Sequence, residues 1–160
     1  MLEWLAKTPY AIWVSESWGW PIALTFHALG TAMVVGLMFI IGLRLLGLFR
    51  TIPYTAIYRL IPFVWIGIVC QVLSGLTLWV TKPAQYLSDA MFETKFTLVV
   101  ISIAVTSYFH STMKRQAAAW DTTGTVSSRG VKVGAATALL WAAVTIGGRL
   151  TAYLGSLYPT

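Results

Sequence analysis

Four ionisable side chains stand inside stretches of sequence that are otherwise apolar: His27, Lys95, His110 and Arg149, with Gln71 as the chief uncharged addition. An ionisable group near the middle of a bilayer costs about 2.5 to 3.5 kcal/mol on insertion scales, so each is a candidate for function. A neutral histidine inside a helical bundle is the usual axial ligand of b-type haem, and cations near the interface neutralise its propionates. His27 with Lys95 and Arg149 fits that chemistry. Lys95 either pairs with a propionate or completes the coordination, and Gln71 and Tyr153 stand where hydrogen bonds to a bound group would come from.

These residues need a membrane bundle to position them. Of 160 residues 58% are hydrophobic and only 10% charged, against about 25% charged in soluble domains, and the mean hydropathy is +0.75. A hydrocarbon core of about 30 Å takes roughly 20 apolar residues per helix, and four such runs are present, over about 20–43, 61–80, 92–113 and 131–154. The sequence therefore predicts a single domain over 1–160, an all-α membrane protein built as a four-transmembrane-helix bundle. A polar loop is expected from Lys114 to about Ser128. Residues 1–19 hold Trp4, Trp13 and Trp18, with Trp20 following, and read as a segment lying in the membrane interface. Arg44, Arg50, Arg59, Lys114, Arg115, Arg129 and Lys132 fall in the connections on one side, against Lys7, Lys82, Lys95 and Arg149 on the other. By the positive-inside rule the first side is cytoplasmic and both termini lie outside.

Depth separates the candidates. At a rise of about 1.5 Å per residue, His27 lies roughly 10 Å below the outer edge, Lys95 and Arg149 within about 5 to 8 Å of it, and His110 about 27 Å down. The first three can converge; a His27/His110 pair cannot serve one iron. Gly30 and Thr31 follow His27 at i+3 and i+4, Gly67, Gln71, Ser74 and Gly75 make a small and polar stripe on the second helix, and Ala138, Ala142, Thr145, Arg149 and Tyr153 do so on the fourth. Such stripes suit close helix packing as well as a site. On the third helix Lys95, Val99, Ser102, Thr106 and His110 form a polar line, either a proton path or packing polarity.

Other chemistries find few residues. The net charge of +6 is what orientation in a membrane requires, and nucleic acid is a poor partner for it. Cys70 is the one cysteine, so no internal disulfide and no Cys-x-x-Cys-His haem attachment exist, and any haem is held non-covalently. Met33, Met38 and Cys70 lack the clustering of a copper path. Neither a nucleophile beside a base, a phosphate-cradling glycine loop nor His-Glu-x-x-His is present. No cleavable leader is evident, since Glu3, Lys7 and Glu16 stand among tryptophans at the start.

The run Phe26-His27-Ala28-Leu29-Gly30, then Gly36, then Leu43-Arg44-Leu45-Leu46-Gly47, resembles a widespread family of bacterial four-helix membrane proteins. Ile61-Pro62, Ser74-Gly75, Phe92-Glu93-Thr94-Lys95, Gly148-Arg149 and Tyr153 extend the resemblance over nearly the whole chain. That family is distantly similar to HemJ-type protoporphyrinogen oxidases and CopD-type membrane domains, in which a first-span histidine and a third-span lysine occupy similar places. In HemJ-type proteins these positions are tied to haem b and porphyrin oxidation, and the implied match is His27 and Lys95. Two features depart: Gly42 stands where an acidic residue usually precedes Leu-Arg-Leu-Leu-Gly, and the HemJ signature after its arginine is missing.

The expectation is a haem b-binding, cytochrome b-like electron-transfer protein of the bacterial inner membrane, with His27 as axial ligand to the iron and Lys95, Arg149, Tyr153 and Gln71 around the cofactor. Its partner would be a quinol or another redox subunit in an oligomer or larger complex. The alternatives are a cofactor-free assembly subunit, gripping its complex through the tryptophan-rich start and small-residue faces, and a porphyrin-oxidising enzyme of HemJ type.

Overall fold

A computed structural model describes residues 2–88 and 90–157, with side chains described for all of these except residue 90 and residues 151–157. The described residues form helices and no strands: α1 Glu3–Ala6, α2 Pro9–Glu16, α3 Gly19–Leu45, α4 Tyr54–Tyr58, α5 Ile61–Trp79, α6 Pro83–Leu87, α7 Ala90–Thr123 and α8 Ser128–Leu157. Four stretches are long and apolar enough to cross a membrane: Gly19–Leu45, Tyr54–Trp79, Met91–Thr123 and Ser128–Leu150. This is the make-up of a multi-pass membrane protein. Most of their surface is apolar and faces outward, Phe26, Leu29, Ile66, Leu73 and Leu139 among it, because lipid is as good a solvent for leucine as a neighbouring helix is.

α3 is the central helix. It packs on α5 along most of its length and on α8, while α7 packs on α8. The closest approach is at Gly30 and Gly67: a Cβ on Gly30 would sit 2.9 Å from the Gly67 carbonyl and from the Gln71 nitrogen, and a Cβ on Gly67 2.8 Å from Val34. Where apolar burial gives helices no driving force, such contact supplies van der Waals attraction instead. Between α5 and α7 there is no extended backbone contact; long side chains bridge them at the level of Trp65 and His110. The buried apolar cluster is concentrated in one half of the bundle. It takes Val34, Met38, Ile41 and Leu45 from α3, Ile61, Val64 and Ile68 from α5, Phe109 and Met113 from α7, and Trp141 and Val144 from α8. His27, Ser74, Lys95 and Gly148 lie beyond its edge.

The expected polar loop from Lys114 to Ser128 is largely helix. α7 runs on to Thr123, and α8 starts at Ser128, leaving a short turn. Ala117 and Trp120 are buried there, Trp120 edge-on to Tyr54 at 5.8 Å, so the extension has an apolar face to bury and good helix formers to build it. At 34 residues α7 is about 51 Å long, well beyond a 30 Å hydrocarbon core. α3 ends at Gly47, which takes φ +94° and lets Leu48 N bond to Leu43 O and Gly47 N to Arg44 O, a Schellman close.

The tryptophan-rich start forms two short helices. Thr8 caps α2 by accepting from Ala11 N, and α2 touches both α3 and α5. The Tyr10 hydroxyl meets Thr77 Oγ1 at 2.9 Å, so this segment covers the His27 end of the pair. Trp4, Trp13 and Trp18 remain exposed.

Candidate functional site

His27 projects from α3 against the polar stripe of α5. Its Nδ1 lies 3.2 Å from the Gln71 carbonyl and 3.1 Å from Ser74 Oγ. The Ser74 hydroxyl donates back to Cys70 O at 2.7 Å, so both groups facing Nδ1 accept. The hydrogen therefore sits on Nδ1, and Nε2 carries a bare lone pair. Nε2 has no hydrogen-bond partner among the described residues. Gly75 lies against the ring: a Cβ there would be 3.4 Å from Cε1, in ordinary contact.

Lys95 approaches from α7. It is half-buried, near enough to the imidazole for their charges to interact, and its Nζ would be 3.2 Å from a Cβ on Gly148 of α8. The absent side chain at Gly148 is what lets the lysine lie along α8. No carboxylate or hydrogen-bond acceptor among the described residues pairs with the ammonium. Gln71 is buried, and its Oε1 is a buried acceptor without a partner. His27 Nε2 and the Lys95 ammonium thus have bonding capacity left over, and so does the buried Gln71 Oε1 on α5. Leaving a buried polar group such as Gln71 Oε1 unpaired costs about 1 to 3 kcal/mol.

The other expected site residues fall differently. Arg149, on the same stripe of α8 as Ala142 and Thr145, is exposed. Tyr153 lies in α8, but its side chain is outside the described residues. His110 is spoken for: Trp65 Nε1 donates to its Nδ1 at 3.2 Å, and its Nε2 meets the Tyr58 hydroxyl at 3.3 Å. Along α5, Trp65 lies six to nine residues from Gln71 and Ser74, which is about 9 to 14 Å of rise, so the two histidines stand at different levels. The polar line of α7 is largely self-satisfied. Ser102 Oγ donates to Leu98 O at 2.6 Å, Thr106 Oγ1 to Ser102 O at 2.7 Å, and Trp141 Nε1 to Thr106 Oγ1 at 2.9 Å.

At the opposite end of the bundle a second polar centre went unforeseen. Arg44, read from sequence as an orienting charge and as part of the Leu43-Arg44-Leu45-Leu46-Gly47 run, is buried. Its Nε donates to Ile52 O at 2.6 Å, Nη1 to Tyr54 Oη at 2.7 Å and Nη2 to Arg50 O at 3.4 Å, and its guanidinium stacks 3.7 Å from the Tyr54 ring centroid. Asp121 caps α4 from α7: Oδ1 accepts from Tyr54 N at 2.5 Å, and Oδ2 from Thr55 N at 3.1 Å and Thr55 Oγ1 at 2.7 Å. The sequence signal was slight: Pro53-Tyr54-Thr55 lacks the N-cap side chain a helix start prefers, so one had to come from elsewhere.

Comparison with protein-family models, with curated proteins and with solved structures finds no match to this chain. The likeness to HemJ-type and CopD-type proteins rests on the quoted residues alone.

Proposed function

We propose that this chain is a haem b-binding membrane protein that transfers electrons, with His27 as an axial ligand to the iron. The observation that carries the proposal is the tautomer of His27. Its Nδ1–H is held by the Gln71 carbonyl and Ser74, which leaves Nε2 with its lone pair, the tautomer in which histidines bind metals. The surroundings fit a macrocycle with carboxylates. The packed apolar cluster ends below His27, Gly75 and Gly148 present backbone where side chains would intrude, and Lys95 offers an unpaired ammonium.

Haem, when bound, supplies a one-electron iron couple. Everything else is the work of the chain. Gln71 and Ser74 hold the imidazole at a fixed angle and keep its proton on the far nitrogen. Lys95 would neutralise a propionate or complete the coordination, and Arg149 would offer a second cation to a carboxylate, with Tyr153 the hydrogen-bond donor that the sequence suggests. Gln71 Oε1, a buried acceptor without a protein partner, would accept from a protonated group. The seven-to-four asymmetry of basic residues supports a bacterial inner-membrane protein with both termini outside, which puts the site in the outer half, within reach of a quinol or a redox subunit.

The test is titration of haemin into the detergent-purified chain. The wild type takes up one equivalent with a b-type spectrum, and His27→Ala does not. Equal uptake by the mutant would remove His27 as ligand.

A further inference from the structure

A cleft of about 1020 Å³ opens at the end of the bundle away from His27, between the α3–α4 connection and the α7–α8 turn. It is lined by Arg44, Arg50, Thr51, Trp120, Asp121 and Thr125, among others. None of these residues takes part in the His27 site.

The charges in this cleft do not balance internally. Asp121 accepts three hydrogen bonds, from Tyr54 N, Thr55 N and Thr55 Oγ1, and feels the positive charge of Arg44. Its negative charge is thereby accounted for. Arg50 has no such counterpart. No carboxylate among the described residues pairs with it, and its one hydrogen bond is from Nε to Gly47 O at 3.1 Å. A guanidinium has five N–H groups. Arg50 therefore retains four, and Arg44, which spends one each from Nε, Nη1 and Nη2, retains two.

The two guanidiniums that line the cleft thus keep six N–H groups that no described protein group takes, four of them on the exposed Arg50, in the planar fork that matches phosphate oxygens. Arg44 is buried and locked by Tyr54, so two of the six remaining donors are already fixed before anything binds. Arg59, Lys114, Arg115, Arg129 and Lys132 crowd the same end and add a field that draws anions toward it.

We propose that this cleft binds a phosphate group, Arg50 making the main contact and Arg44 the fixed one. Two sources carry that chemistry, the phosphodiester of an anionic lipid headgroup and a free phosphate.

The experiment measures thermal unfolding of the full chain in a phosphate-free detergent. Added to it are short-chain phosphatidylglycerol, inorganic phosphate, or short-chain diacylglycerol with chloride at matched ionic strength. A ligand of the folded state raises the unfolding temperature with its concentration. A rise with the lipid alone assigns the headgroup; a rise with inorganic phosphate, alone or as well, assigns free phosphate. In either case Arg50→Gln weakens apparent affinity about tenfold or more. Arg50→Lys keeps part of the effect, and Arg115→Gln, an exposed charge at the same end but outside the cleft, keeps nearly all. Intact-protein mass spectrometry of the same samples counts bound ligand without relying on stability. The proposal is overturned if neither phosphate source shifts the transition, if Arg50→Gln retains the wild-type shift and occupancy, or if Arg115→Gln loses as much as Arg50→Gln.

Discussion

At the residue scale, His27 is set apart from His110 by what each ring nitrogen touches. Trp65 and Tyr58 occupy both nitrogens of His110, whereas His27 spends only Nδ1. The sequence separated the two by depth but could not say which nitrogen of His27 was free, since that depends on a carbonyl 44 residues away. Lys95 gives a second test at this scale. A positive charge beside the haem favours the reduced, less positive iron, so Lys95 as a propionate partner would raise the midpoint potential, whereas as a ligand it would have to be a neutral amine. Lys95→Gln is expected to keep the haem and lower its midpoint by some tens of millivolts in a redox titration. A mutant with an unchanged midpoint would place the lysine away from the cofactor.

At the element scale, two contacts hold the helices in register. Gly30 lets α3 and α5 touch through backbone, and Gly30→Leu drives a side chain into space where even a Cβ would be 2.9 Å from two backbone atoms. A loss of about 1 to 3 kcal/mol follows from such overpacking, read as a lower unfolding temperature in detergent. The other contact is the cap that Asp121 gives to α4. Asp121→Ala is expected to cost about 1 kcal/mol.

Helix existence was legible because four apolar runs of membrane length leave little alternative. The extension of α7 was not. Polar residues from Lys114 onward read as loop, and the reason they are helical, Ala117 and Trp120 packing on Tyr54, is a tertiary contact no local pattern carries.

At the scale of the whole molecule, the bundle is divided along its axis. One half holds the apolar cluster and, beyond it, the Arg44 centre; the other holds polar groups with bonding capacity to spare. The sequence foretold the second half through its small and polar stripe, Gly67, Gln71, Ser74 and Gly75, but not the first, because Arg44 and Asp121 are 77 positions apart and each alone looks like a surface charge. Orientation is testable with Cys70→Ser as background: a cysteine at Thr125 should react with an impermeant thiol reagent only from the cytoplasmic side, and labelling from outside would invert the bundle. The most direct measurement on the central claim is the visible spectrum of protein purified from haem-replete cells, oxidised and dithionite-reduced, with a pyridine haemochrome assay and His27→Ala alongside. A Soret band with b-type reduced bands, absent from the mutant, is the expected result. A colourless wild-type protein would contradict the claim and favour a cofactor-free assembly subunit.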